Sequence, residues 1–174
     1  MGQRKISGDP SRCAPYVFRV CADRPTNAGG RVLAVDYGRR RIGLAISDPT
    51  GTIATGLGTI VVNNDREAIA RIVAERSHWE YQKIIVGLPL ETSGRAGPMA
   101  QEVAAFVEKL RRSSGDIPVA TIDERFTSAE AHRLFHQSGR KLKGRKGDID
   151  RLAAEILLRQ YLDSISPEAE PEDD

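Results

Sequence analysis

The sequence predicts an α/β protein with a mixed five-stranded sheet and helices on both faces. Three observations carry this. The first three apolar runs have strand length and are joined by short turns, as in an antiparallel meander. From Asn64 onward, helical periodicity alternates with short apolar runs, which adds parallel strands and crossover helices. The chain has 174 residues and no internal repeat, enough for one domain and too few for two comfortable ones.

The elements follow in order. Val32 to Asp36 is apolar at both alternate sets of positions, so this strand is covered on both faces. Tyr37-Gly38-Arg39-Arg40 is a turn, Ile42 to Ile46 a second strand, and Thr52 to Val62 a third, interrupted by Gly56 and Gly58. Asn64 and Glu67 are spaced as a capping box ahead of Ile69, Ile72 and Val73. Lys83 to Leu88 is a buried strand. Pro98 opens a helix whose apolar face is Val103, Phe106, Val107 and Leu110. Ile117 to Ile122 is the fifth strand. A second capping box, Thr127 to Glu130, leads a helix to Gly139, and the last helix starts near Asp148. Trp79 and Tyr81 read as packing at the edge of the core.

Residues 31–163 therefore read as the folded domain. Residues 1–30, rich in Pro and Gly and without periodicity, read as a disordered arm; residues 164–174 read as a disordered acidic tail. Cys13 and Cys21, both in the arm, form neither a disulfide framework nor a zinc pattern. No run approaches membrane-spanning length, and no apolar stretch follows Arg4 and Lys5 as in a secretory leader. A cytoplasmic location without a membrane partner is the expectation. The net charge of +2 conceals an asymmetry: residues 163–174 carry six acids and no Lys or Arg, so the rest of the chain has 26 basic against 18 acidic residues. A basic body suits a polyanionic partner such as nucleic acid.

Acids stand out at three places. Asp36 ends the first strand, Asp123 and Glu124 end the fifth, and Asp150 falls in the first turn of the last helix, where the helix dipole favours its ionised form. Strand ends and helix starts gather at one edge of such a sheet. Carboxylates crowded there would repel one another without a cation. Magnesium, or manganese in its place, takes oxygen ligands and leaves room for water and phosphate. Two such ions can activate water and stabilise the leaving oxygen of a phosphodiester. Each acid also has a plain structural reading, as a turn cap, a helix-start residue or a solvated side chain. A Gly-rich loop with Arg140, Lys141, Lys143, Arg145 and Lys146 precedes Asp150 and is suited to hold phosphates. Arg125 and the Arg39-Arg40-Arg41 cluster add positive charge. His132 and His136 have helical spacing, but no third ligand accompanies them.

Four ordered segments carry a resemblance. Val35 to Gly38 with Arg41 to Asp48, then Ile85 to Leu90, Asp123 to Ser128, and Lys146 to Asp150 followed by Ala153-Ala154 and Ile156-Leu157, resemble the motifs of the YqgF/RuvX family. The resemblance spans about residues 31–162. It implies an RNase H-like nuclease acting on pre-16S rRNA in ribosome biogenesis, with Asp36, Glu124 and Asp150 as catalytic metal ligands. Glu124 is preferred to Asp123 because strand neighbours point to opposite faces. Arg41, Arg125, Arg140, Lys141, Lys143, Arg145 and Lys146 are the candidate nucleic-acid contacts. Two departures accompany the match: the thirty-residue arm is extra, and Glu155 stands where an apolar residue is expected. Two other readings remain open. One is cleavage of branched DNA as a Holliday junction resolvase, which would need a two-fold dimer. The other is an RNA-binding assembly factor without catalysis. The sequence leaves monomer and homodimer undecided, and an actin-like ATPase is set aside because the chain has one Asp-x-Gly motif and not two related halves.

Overall fold

A computed structural model of the chain describes residues 30–91, 95–123 and 146–165. Its elements in chain order are β1 (Arg31–Asp36), β2 (Arg41–Ser47), β3 (Ala54–Val61), α1 (Asp65–Ala74), α2 (Arg76–Trp79), β4 (Tyr81–Leu88), α3 (Pro98–Ser113), β5 (Val119–Asp123) and a last described helix, labelled α4 (Lys146–Ile165). The strands form one sheet in the order β3-β2-β1-β4-β5. The first three pair antiparallel; β1–β4 and β4–β5 pair parallel. This is the mixed sheet that the sequence predicts. The expected helix from Thr127 to Gly139 lies outside the described residues, as do residues 1–29 and the tail from residue 166.

The two faces of the sheet carry side chains of different size. Leu33, Val35, Ile42, Leu44 and Ile46 face α1 and α3, where they pack with Ile69, Ile72, Val103, Phe106, Val107 and Leu110. Val32, Ala34, Ala45, Ala54 and Ile85 face α4, against Ala154, Leu157, Leu158 and Leu162. Period-two alternation sorts the two sets. Because the α4-facing positions of the meander are mostly Ala and Gly, α4 lies almost on the backbone. A Cβ placed on Gly43 would stand 2.0 Å from the Asp150 carbonyl oxygen, and one on Gly56 would stand 2.7 Å from Arg151 Cγ.

Local chemistry fixes the ends of the elements. Asn64 Oδ1 accepts from the Glu67 N–H at 2.9 Å, as the capping box predicts, while Glu67 reaches back to the N–H of Asn63 at 3.0 Å. Asp48 closes the β2–β3 turn by accepting from the N–H groups of Thr50, Thr52 and Ile53. Those bonds, the Ile53 N–H foremost, hold its carboxyl well below the usual carboxylate range.

Three details depart from expectation. Tyr81 is inside the core and not at its edge, because its hydroxyl finds the Ile72 carbonyl at 3.0 Å. The short α2 has no periodicity long enough to be read from sequence. The described part of α4 is already helical at Lys146, two residues ahead of the expected start, and Thr59 Oγ1 donates to the Gly147 carbonyl at 2.7 Å, tying that turn to β3. Asp150 therefore sits in the second turn, beyond the strong reach of the helix dipole.

The contact at Gly43 yields a measurable expectation. Gly43→Ala should cost about 3 kcal/mol of unfolding free energy, the upper range for overpacking, because the added methyl meets helix backbone that cannot rotate aside. Urea denaturation reads the loss. A change below about 0.5 kcal/mol, the usual surface value, would show that α4 does not rest on this residue.

Candidate active site

The site begins with the pairing of β1 and β2. Asp36 is the register partner of Gly43, and Gly43 carries the Asp150 carbonyl above it. Alternation along β1 puts Asp36 on the same side as Val32 and Ala34, which is the α4 side. Asp36 and the turn of α4 that bears Asp150 thus lie on one face of the sheet although 114 positions separate them in the chain.

Arg41 completes the described part. Its Nε–H donates to Asp150 Oδ2 at 2.7 Å. The Asp150 side chain is only 21% exposed, against 40% for Arg41. A carboxylate so far removed from water needs a counter-charge. Sequence reasoning assigns that task to the helix dipole; the structure assigns it to Arg41. Of the three consecutive arginines, Arg39 faces elsewhere, donating Nε–H to Glu102 of α3 at 2.8 Å.

The far side of the sheet fixes the strand that carries Asp36. Tyr37, the next residue, points to the α1–α3 side. Its ring meets Phe106 with centroids 4.5 Å apart, and its hydroxyl donates to Asp65 Oδ1 at 3.1 Å. Lys109 holds the other Asp65 oxygen at 2.6 Å. Burial, then the bond to Asp65, pushes the Tyr37 phenol up to about 12. Gly38 lets the turn close: a Cβ there would stand 2.5 Å from the Arg41 carbonyl oxygen.

Other sequence-predicted residues are placed as follows. Asp123 ends β5, paired with Leu88. Its neighbour Ile122 packs toward α4, so alternation turns Asp123 to the opposite side. Glu124, Arg125, Arg140, Lys141, Lys143 and Arg145 lie outside the described residues; Lys146 opens α4. Glu155, the polar residue at an expected apolar position, lies between Arg151 at 3.9 Å and Arg159 at 3.8 Å. Among the described residues no group of three or more His, Cys, Asp or Glu could hold a metal ion. Asp36 and Asp150 supply two hard oxygen donors of the kind magnesium prefers, and Arg41 already places positive charge on one of them. In donor chemistry the pair fits a divalent cation.

Two positioning residues escape sequence reasoning. Gly43 leaves a signal, since a glycine inside a strand often marks close backbone approach. Thr59 leaves none, because its partner is a backbone carbonyl 88 residues away.

The comparisons with known proteins concern the family and the fold. A family model described as "RuvX: Holliday junction resolvase" matches residues 30–164. A Koribacter versatilis protein named "Putative pre-16S rRNA nuclease" is 42% identical over 142 residues, covering 80% of this chain and 90% of that protein. A Syntrophus aciditrophicus protein of the same name is 37% identical over 143 residues, covering 82% and 95%. The fowlpox virus resolvase, solved with Holliday junction DNA, superposes with a TM-score of 0.51 at 14% identity, covering 79% of this chain and 99% of the resolvase; at that identity the likeness concerns the fold. The family match and the relatives make the chain a nuclease, and its mixed five-stranded sheet has the RNase H-like fold. Within that class, the chain belongs to the RuvX family. No helix among the described residues is long and apolar enough to cross a membrane.

The raised Tyr37 phenol gives a pH-dependent expectation. Its folded value lies above the unfolded one, so its contribution is fully present below about pH 10 and falls away as pH rises toward 12. Wild type should melt above Tyr37→Phe at pH 8, by the worth of one hydrogen bond, roughly 1 kcal/mol. The gap should shrink by pH 11. Thermal melts at both values test this, and a gap that widens with pH would contradict the assignment.

Proposed function

We propose that the chain is a divalent-metal-dependent endonuclease that hydrolyses phosphodiester bonds of precursor 16S rRNA, and so acts in ribosome biogenesis in the cytoplasm. The observation that carries the reading is the stacking of Asp150 on Gly43, the register partner of Asp36. It brings two carboxylates from opposite ends of the domain to one sheet face. Glu124 is the third proposed ligand, following Asp123 at the end of the neighbouring parallel strands. Family membership and the names of the relatives support the substrate class.

Asp36, Glu124 and Asp150 would hold magnesium or manganese. When bound, the ion supplies an activated water and charge stabilisation for the leaving oxygen. The protein's own groups do the rest. Arg125, Arg140, Lys141, Lys143, Arg145 and Lys146 hold backbone phosphates and set the register of the substrate. Tyr37 and Gly43 keep the Asp36 and Asp150 backbones in place from either side.

A second reading, cleavage of a four-way DNA junction, is favoured by the family description. The acids serve either substrate, because both present a phosphodiester. A junction enzyme would act as a two-fold homodimer, which cleavage of a single RNA strand does not require.

The test offers the purified chain a pre-16S rRNA fragment and a four-way DNA junction, with and without magnesium. Cleavage of the RNA only with magnesium is expected, and Asp36→Asn and Asp150→Asn should each lower the rate by about 100-fold or more. Preferential cutting of the junction selects the second reading. Folded variants that cut as fast as wild type would overturn the site. Salt-sensitive RNA binding without any magnesium-dependent product would make the chain an assembly factor.

A further inference from the structure

We propose that Arg41 is a positioning residue that competes with the divalent cation for Asp150, so that metal loading requires the guanidinium to leave. The inference rests on the metal-site reading above and adds a residue that sets the affinity of that site.

Four observations support it. Arg41 opens β2 on the same side as Gly43 and Ala45, which is the α4 side, and its Nε–H reaches Asp150 Oδ2 at 2.7 Å. The backbone of Asp150 is fixed in place, because its own carbonyl rests on Gly43 and the preceding turn of α4 is held by Thr59. The Asp150 side chain is partly buried, so a fixed charge beside it is screened less than one at the open surface. Arg41 itself is 40% exposed, which leaves its stem a path to turn outward.

A guanidinium stays charged at every accessible pH, so it cannot relieve its repulsion of an incoming dication by losing a proton. It must move. Once released at the mouth of the β1–β2 turn, its planar fork is matched to a phosphate oxygen pair. The same residue thus neutralises Asp150 before loading and is directed at the substrate backbone afterwards. Arg39 cannot substitute, being tied to Glu102 on the other side of the sheet.

The experiment uses manganese alone, with free ion followed by its paramagnetic resonance signal, and no nucleic acid. Wild type is compared with Arg41→Met, which keeps the apolar stem and removes the charge, and with Arg41→Lys, which keeps the charge. Arg41→Met should bind manganese about fivefold more tightly, the usual worth of one partly exposed ion pair. Arg41→Lys should stay within about twofold of wild type on the same scale. In an Asp150→Asn background, Arg41→Met should bring no gain, since the competition is for that carboxylate. Thermal melts of each variant establish that it is folded. A folded Arg41→Met that binds manganese no more tightly than wild type overturns this inference and leaves the metal site standing. A gain that persists without the Asp150 carboxylate overturns it as well. If wild type binds no manganese, the metal-site reading fails and the inference falls with it.

Discussion

The contact on which the structure depends is backbone against backbone, where the second turn of α4 rests on Gly43. A helix normally packs on a sheet at about 10 Å, with side chains between them. Here Gly43, Ala34, Ala45 and Gly56 thin that layer along the meander, and α4 descends onto the strands. The close approach sets the turn bearing Asp150 over Gly43, the register partner of a strand-end acid. A large side chain at position 43 would bury more apolar surface and would lift Asp150 away from Asp36.

The opposite face shows what the small residues give up. Leu33, Val35, Ile42, Leu44 and Ile46 are fully or almost fully buried there, with Phe106 and Leu110 of α3 among their neighbours. Each such side chain contributes on the order of 2 kcal/mol of burial. That side supplies most of the apolar cohesion, and it also steadies the site. Tyr37 follows Asp36 directly and is fixed by Phe106 and Asp65, so the end of β1 is clamped from below while Asp36 points above. Successive residues of one strand thereby divide the work between anchoring and chemistry.

Much of this was legible in the sequence. The strand runs, the capping box at Asn64 and Glu67, the Pro98 helix start and the mixed sheet all follow from local patterns that the packing reinforces. Asp36 and Asp150 were legible as site candidates because acids at strand ends and helix starts gather at one edge. The ion-pair partner of Asp150 was not. Sequence spacing places Asp150 in a first helical turn, whereas the chain is already helical from Lys146, and the acid is met by the Arg41 guanidinium. The role of Arg41 was equally hidden. Three arginines in a row read as one basic cluster, and only the fold separates Arg39, turned to Glu102, from Arg41, turned to Asp150.

The design of β3 follows from the same geometry. It is an edge strand containing Gly56 and Gly58, with a register shift opposite Leu44 and Ala45 and a positive φ of 145° at Gly58. Glycines weaken a strand, and an edge strand has a neighbour on only one side. By local propensity this should be the frailest strand of the meander. Yet the lost side chain at Gly56 is the space that Arg151 and Glu155 of α4 fill, and Thr59 holds the first turn of that helix. The helix that carries Asp150 therefore also covers the strand that its approach requires to be bare. Substituting Gly56 would strengthen β3 in isolation while displacing the side chain of Arg151, one residue after the acid. Strand stability and site geometry oppose each other at that position, and the sequence keeps the glycine.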